Sequence, residues 1–489
     1  MVVEISGTVE LRTDTTLSDG SSSESTDSVL VRDPFTGLPV WRGTGQAGVM
    51  RHHLAAIRPE LVPATFGQAD RSSRVHTADA LARLPAAHLV GRRSGNRIDP
   101  HTRQVERGAV FTTEVLPAGT CFPVAWHLHL PREGDGAVPA SLVGMVLAAS
   151  GLVDEPDGIR LGLRSGRGRG AVAGRGWRVR LHDLGTPEGF DTWFGGADPV
   201  PDGPGSPTLL DALATALDAV AGPCSGRQLR AAVHAVEHER EQLLLQLIVA
   251  VGEPDPVAGV RPTTLLHGVT PFRRDSDDPD LVPLARPGRS GTVEPLDSGS
   301  AVHNLLVRQA RWALRTLAAP EIAEDMLRDL FGGGAEGTVA PRPSRVRETE
   351  APVVGSSAVT WTRNNIDPLT QGTVPGLLFT EVSRYGGDTT WQVQVRGPKA
   401  ADVGLLALVL RDLADGAAQA VGHGSASGHG RRLLTSATVS IRGAALCAEL
   451  GLDAAPEPMD WPTFRDGPLP RTALAALRTA LSSASEENR

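Results

Sequence analysis

The segment Ile98-Asp99-Pro100-His101-Thr102, running on to Phe111, occurs a second time as Ile366-Asp367-Pro368-Leu369-Thr370, running on to Phe379, with the same internal spacing. Repetition of this kind requires one structural module to be built twice. A glycine loop repeats in the same order: Gly162-Leu163-Arg164-Ser165-Gly166-Arg167-Gly168 is matched by Gly424-Ser425-Ala426-Ser427-Gly428-His429-Gly430, each reading Gly, two residues, then Ser-Gly-x-Gly. The chain of 489 residues is too long for one ordinary core, and a hydrophobic share of 40% is enough to fill two.

Along the first half, strand patterning over Val2–Leu11 precedes a Ser/Asp/Gly-rich loop, Ser18–Thr26, and a second apolar run, Val29–Trp41. The stretch Gly43-Thr44-Gly45-Gln46-Ala47-Gly48 reads as a glycine-rich turn opening a short helix, Val49–Ala56. There follow a basic turn-rich segment, Gly91–Gly108, a strand pair, Val110–Leu130, an apolar helix, Ser141–Leu152, and a strand, Trp177–Leu184. This order is βαββαβ, so the expected fold class is α+β: two tandem ferredoxin-like (RRM-like) modules, each with helices on one sheet face and the other face free. The second copy is expected from a strand at Leu243–Val251, a helix at Val302–Leu317, a hairpin region at Arg363–Gly397, a helix at Val403–Leu413 and a strand at Ala437–Arg442. The expected domains are residues 1–185, a Pro/Gly/Asp-rich linker at 186–228, and residues 229–453 with a disordered insert at 332–354. A tail at 454–489 carries a short helix, Leu474–Leu481.

No run of eighteen apolar residues occurs, and Met1–Thr13 alternates polar and apolar, so the expectation is a soluble cytoplasmic protein without a signal peptide and without a membrane partner. Cys121, Cys224 and Cys447 lie far apart and form no CxxC pair, which removes a disulfide framework and a cysteine zinc site. The net charge of -8 argues against nucleic acid until its distribution is considered. Lys399 is the sole lysine, a bias that a GC-rich genome explains, but such a bias does not cluster arginines. Arg92, Arg93, Arg97, Arg103 and Arg107 fall in one segment, and Arg160, Arg164, Arg167, Arg169, Arg175, Arg178 and Arg180 in another, which suggests a localised polyanion site.

Arginines alternating with glycines between Arg160 and Gly170 let guanidinium forks and backbone amides reach a phosphodiester chain together; the second copy carries His423, His429, Arg431 and Arg432 instead. His234-Ala235-Val236-Glu237-His238 fits the HxxEH pattern of inverted zinc peptidases, with a charged helical face as the plainer reading. Asp27 and Asp33 bracket the apolar run after the mobile loop. Beside an RNA strand, a carboxylate there would hold Mg2+ or help deprotonate a 2'-hydroxyl for in-line attack.

The segment Asp27-Ser28-Val29-Leu30-Val31-Arg32-Asp33-Pro34-Phe35-Thr36-Gly37-Leu38-Pro39, with Gly43 to Arg51, resembles the acidic loop, DPxTGLP run and PGSSLKGxxR turn of the RAMP superfamily of CRISPR-associated proteins, in particular the backbone subunits of type III effector complexes. Asn96 through Glu106, Phe111 and Gly119 is similar to the family's hairpin, and Leu161–Gly170 to its glycine-rich loop. The resemblance implies a subunit that wraps a CRISPR RNA, inserts thumb hairpins (Arg92–Gly108 and Arg363–Gly376) to flip nucleotides, and cuts the paired target RNA. It carries the cleaving role to Asp27, with Mg2+ or Mn2+, and points to Asp278 or Asp280 in the second copy. It implies RNA contacts at Gly43, Thr44, Gly45, Gln46, Arg51, Arg92, Arg93, Arg97, Arg103, Arg107, Arg164, Ser165, Arg167, Arg169, Arg363, Ser427 and His429. Implied partners are the guide, the target RNA, a polymerase-cyclase large subunit, further RAMP backbone subunits and small subunits. Leu17-Ser18-Asp19-Gly20 departs from the family's Leu-His-Ile-Gly, Arg42 and Gln46 replace proline and leucine in the turn, and Leu296–Ala301 lacks the full glycine pattern. A guide-binding backbone without catalysis, and a zinc hydrolase on His234 and His238, stand as alternatives.

Overall fold

The computed structural model describes residues 1–85, 90–98, 105–130, 138–153, 158–195, 207–219, 223–237, 242–251, 264–265, 268–269, 279–287, 293–333, 340–416, 420–422, 429–453 and 456–487. They form two compact units: Met1–Ser165 with Arg169–Arg240, and Gly166–Gly168 with Glu241–Arg489. Both are mixed α/β with antiparallel sheets.

In the first unit, β1 (Val2–Leu11) leads through α1 (Gly43–Ile57) to β2 (Val75–Thr77). A hairpin of β3 (Gly91–Ile98) and β4 (Val105–Val115) follows, then β5 (Cys121–His129), α2 (Ala140–Ser150) and β6 (Val172–His182). The sheet order is β2-β5-β1-β6, antiparallel throughout. The expected pairing of two strands across Val110–Leu130 is corrected: β4 pairs with β3 in the hairpin, whereas β5 pairs with β1 and β2. The turn at Pro117–Thr120 causes this, because the Gly119 amide donates to Leu11 O and the Leu11 amide to Thr120 O, redirecting the chain onto β1.

Period-2 alternation turns Val3, Ile5, Val9 and Leu11 of β1 and Phe122, Val124, Trp126 and Leu128 of β5 into one core with Met50 and Leu54 of α1 and Leu142, Met145 and Val146 of α2. Trp177 packs over Gly7 and Gly174, where any side chain would collide with its indole. The segment expected as a linker, 186–228, is helical over most of its described part: α3 (Pro187–Phe194), α4 (Leu209–Ala219) and the start of α5 (Gly226–Glu237) fall in it. Leu209, Leu213 and Leu217, one helical turn apart, and Leu229 and Val233 lie in the first unit's core.

The second unit follows the same path with β7 (Gln242–Val251), α6 (Gly299–Leu317), α7 (Pro320–Phe331), β8 (Val346–Thr349) and β9 (Ala351–Val354). A hairpin of β10 (Ser357–Arg363) and β11 (Phe379–Tyr385) precedes β12 (Asp388–Arg396), α8 (Ala400–Ala414) and β13 (Arg432–Arg442). Strands β8 and β9 both pair with β12, which pairs with β7, which pairs with β13. The insert expected as disordered at 332–354 is therefore corrected over its described part, since β8 and β9 are its sheet strands and Val346, Ala351 and Val353 are buried. The expected tail helix is longer: α9 (Leu469–Glu487) packs Leu469, Ala473, Leu477 and Leu481 into this unit's core.

The helix-free sheet faces differ. On the first unit, His127 and His129 of β5 lie beside His76 of β2, and the register continues through Glu4 to Arg178 and Arg180. The His76 and His129 rings meet edge-on at 4.9 Å. On the second, Gln242 and Gln246 are flanked by Gln392, Gln394, Thr438 and Ser440.

Candidate functional site

Asp27 directly follows the Ser/Gly loop, where the chain meets the base of the first hairpin. Its amide donates to Thr112 O (2.9 Å), and the Thr112 amide donates back to Asp27 Oδ2 (2.7 Å). The next residue forms a parallel bridge, Ser28 with Thr113, and Glu114 N donates to Ser28 O at 2.9 Å. The second unit reproduces each contact. Asp280 N donates to Thr380 O (2.7 Å), Thr380 N to Asp280 Oδ2 (2.7 Å), Leu281 bridges Glu381, and Val382 N donates to Leu281 O (2.9 Å). Asp280 is thus the structural counterpart of Asp27; Asp278 lies outside the described residues. Asp27 is exposed and Asp280 half-buried. Each aspartate is tied to one strand residue by its backbone amide and by one carboxylate oxygen, which restrains rotation of the side chain.

Across each hairpin, the residue that holds the carboxylate faces a second hydroxyl: Ser94 Oγ lies 3.2 Å from Thr112 Oγ1, and Thr362 Oγ1 lies 3.4 Å from Thr380 Oγ1. None of these four residues carries a sequence signal of its own, because serine and threonine are ordinary strand residues; only superposing the two hairpins on the shared Ile-Asp-Pro spacing picks them out. The opposite hairpin face turns inward. In the first unit, Arg93 is buried in an ion pair with Asp14 (3.1 Å), and Arg169 Nη1 donates to Thr113 Oγ1 at 3.4 Å.

The glycine-rich loops close identically. Leu161 N donates to Gly170 O and Val421 N to Gly430 O, both at 2.8 Å, and both closing glycines have positive φ (76° and 78°), with a Cβ there running into the Leu161 or Val421 carbonyl. The loops are therefore Gly162–Gly170 and Gly422–Gly430, which shifts the sequence alignment by two residues and makes His429 the counterpart of Arg169. His429 is buried against Arg363, which also pairs with the buried Glu381 (2.7 Å). Arg169, His429 and Arg363 thus tie loop to hairpin, and Arg93 ties the hairpin to β1's end; phosphate contact by the buried Arg93, Arg169 and His429 is corrected to an internal role. Arg167 is likewise drawn inward: within the second unit, to which Gly166–Gly168 belongs, Arg167–Gly168 pairs with Glu348–Thr349, and burial pulls its guanidinium below the ordinary value against the opposing charge of Glu348.

The glycine-rich stretch after Trp41 is helical from its first residue, not a turn. Gly43 is buried with its amide donating to Asp79 Oδ1 (2.6 Å), so this donor is already satisfied. Gln46 is fully buried, accepting from Trp126 Nε1 (2.8 Å) and donating to Trp41 O and Ala78 O, which corrects it from RNA contact to core bracket. Thr44, Gly45, Arg51, Arg92, Arg107 and Arg164 are exposed, and Ser165 is half-buried. The Arg164 guanidinium stacks 4.1 Å over the Phe111 ring at the hairpin. Arg103, Ser427 and the Arg97 side chain lie outside the described residues, as does His238; its HxxEH partner His234 is exposed on α5. Asp33 serves its own turn: Thr36's hydroxyl and amide hold its carboxyl below the usual range, and Phe35 is 95% exposed at the turn's apex.

Among the described residues, no group of three His, Cys, Asp or Glu side chains is placed to hold a metal. Asp27 Oδ1 has no hydrogen bond to the described residues, so the protein offers a divalent ion one carboxylate oxygen here. That donor set suits Mg2+, which commonly takes one or two carboxylates and completes its shell with water and substrate phosphate. No described helix is long and apolar enough to cross a membrane.

Residues 8–173 match the family model of the RAMP superfamily. No curated protein matches the chain. Among solved structures, one chain of a type III-B Cmr-beta complex bound to cognate target RNA is similar at 16% identity and a TM-score of 0.30. That match takes in 36% of this chain and 60% of the other, so this chain spans less than two thirds of that chain's length.

Proposed function

We propose that this chain, whose residues 8–173 match the family model of the RAMP superfamily, is a tandem backbone subunit of a type III CRISPR ribonucleoprotein, built from two ferredoxin-like RAMP modules. Each module holds CRISPR RNA and cuts the paired target at one place. The observation that carries this is the doubled carboxylate brace, Asp27 on Thr112 and Asp280 on Thr380, at the base of each hairpin. Two sites with the same hydrogen bonds, on loops of unrelated local sequence, point to one chemistry performed twice.

In that chemistry the aspartate takes the proton from a target 2'-hydroxyl. The freed oxygen attacks the adjacent phosphorus in line, the P–O5' bond breaks, and the departing 5'-oxygen is protonated by water, leaving a 2',3'-cyclic phosphate. Alternatively, were Asp27 Oδ1 to hold Mg2+ or Mn2+, the ion would neutralise the charge gathering on the phosphate and the 2'-hydroxyl proton would pass to water. The hairpins β3–β4 and β10–β11 are the thumbs that separate the two cuts, and the exposed Arg51, Arg92, Arg107 and Arg164 supply phosphate contact. Expected neighbours are the polymerase-cyclase large subunit, further RAMP subunits and small subunits, in the cytoplasm. The test is to assemble the chain with guide RNA and partner subunits, add end-labelled target and map the products: regularly spaced, metal-dependent cuts support the reading. An intact target, with the guide properly loaded, would leave a purely structural backbone.

A further inference from the structure

Besides the carboxylate, one other arrangement at the hairpin base is the same in both units: two hydroxyls facing each other across the strands, Ser94 with Thr112 and Thr362 with Thr380. Apart from the phenylalanine before each threonine, Phe111 and Phe379, the neighbouring residues have been exchanged. Arg93 pairs with Trp361 as its counterpart, Thr113 with Glu381 and Gly95 with Arg363, by the two registers.

The hydroxyls stand on the outer face. Alternation along β4 sends Thr113 and Arg93 inward, 4% and 5% exposed, and leaves Ser94 exposed and Thr112 half-buried. In the second unit Glu381 is turned in at 2%, Thr362 is exposed and Thr380 half-buried. Thr112 and Thr380 are also the residues whose amides hold the aspartates, so hydroxyl and carboxylate sit on adjoining groups of one strand. Within each pair one O–H donates to the other oxygen, which leaves one O–H with no role inside the pair. A donor fixed beside a carboxylate suits a substrate group that accepts hydrogen bonds and carries negative charge, which the carboxylate alone would repel.

We infer that the Ser94–Thr112 and Thr362–Thr380 pairs are positioning residues that donate one hydrogen bond to a non-bridging oxygen of the scissile phosphodiester in each unit. This rests on the cleavage reading above. The plainer role for such a pair, cross-strand stabilisation of the hairpin, predicts a change in folding and none in the partition between binding and cleavage.

The experiment uses the full chain assembled with guide RNA and partner subunits, and end-labelled target under single-turnover conditions. Thr112→Val keeps shape and strand preference but removes the hydroxyl. It is expected to slow the first unit's cut about a hundredfold, with target affinity and the second unit's cut unchanged, and Thr112→Ser to restore the rate. Thr380→Val should do the same to the other cut. Wild-type cutting by Thr112→Val overturns the inference, and so does a Thr112→Ser variant as slow as Thr112→Val, because packing would then be the cause. Should Asp27→Ala leave every cut intact, the cleavage reading fails and this inference with it; should Asp27→Ala abolish the cut that Thr112→Val spares, only the inference fails.

Discussion

Each unit buries a tryptophan on the strand paired with its first strand, at positions that differ in register, and each brackets it by different chemistry. Trp126 in the first donates to Gln46, a neutral amide whose remaining hydrogens are taken by Trp41 O and Ala78 O. Trp391 in the second donates to Asp297, a carboxylate with no exposure, which is matched by the equally buried Arg432 at 2.8 Å. Arg432 begins β13 where Val172 begins β6. A carboxylate in a dry core, unlike an amide, requires a cation nearby, and β13 supplies it. The hairpin bases differ in the same way: the first places its arginines on the glycine loop and β3, the second on β10 against Glu381. Against this rewiring, both units keep the two bonds between aspartate and threonine: the aspartate amide to the threonine carbonyl and the threonine amide to Oδ2. The cores have diverged and the outward-facing carboxylate geometry has not.

The largest expected effect tests the rewiring. Asp297→Ala strands a buried guanidinium and an indole N–H together, at a cost of about 3–5 kcal/mol, whereas Gln46→Ala removes only neutral partners at roughly 1–3 kcal/mol. Denaturant unfolding of the two variants measures the difference; equal losses would break the comparison. A smaller effect separates outward from inward arginines. Arg92→Ala should weaken guide-RNA binding and reduce the salt slope by about one, and Arg93→Ala, which opens an internal ion pair, should lower stability with the slope unchanged. Affinity titrations at several salt concentrations read both.

The smallest effect concerns the open sheet faces. Burial, then the charges of His76 and His127, depress the His129 pKa. An imidazole depressed in the folded state takes its proton more readily when unfolded, so its folded environment costs nothing above about pH 6.5 and lowers stability as pH falls below that value. Melting at pH 7.5 and 5.5 should therefore show an acid-induced loss that His129→Gln reduces. The second unit's Gln, Ser and Thr face offers no such group among the residues named above.

The hairpins were legible because Ile-Asp-Pro-x-Thr to Phe is spaced identically in both copies. Asp27 stood out on its loop, whereas Asp280 was legible only as one of two candidates, since the chain between it and Thr380 is longer than that between Asp27 and Thr112. The glycine loops were aligned two residues out of step because Gly recurs every second residue there; only the Leu161–Gly170 and Val421–Gly430 bridges define the register. Arg92 and Arg93 look alike in an arginine cluster, but neighbours on a strand face opposite ways, and only Arg93 is buried. Strands β8 and β9 were hidden because Glu348 and Glu350 occupy buried positions and made the segment read as polar; Glu348 is held there by His303 at 2.6 Å. The helices after β6 are not legible in the sequence, because the residues they pack against lie far off along the chain.

The most direct measurement of the central claim is a cleavage map of one guide-paired target for the wild-type complex, Asp27→Ala and Asp280→Ala. The account predicts that each substitution removes one cut and leaves the other, the two missing products lying one interval apart. A single shared loss, with Asp280→Ala indistinguishable from wild type, would contradict the equivalence of the two sites.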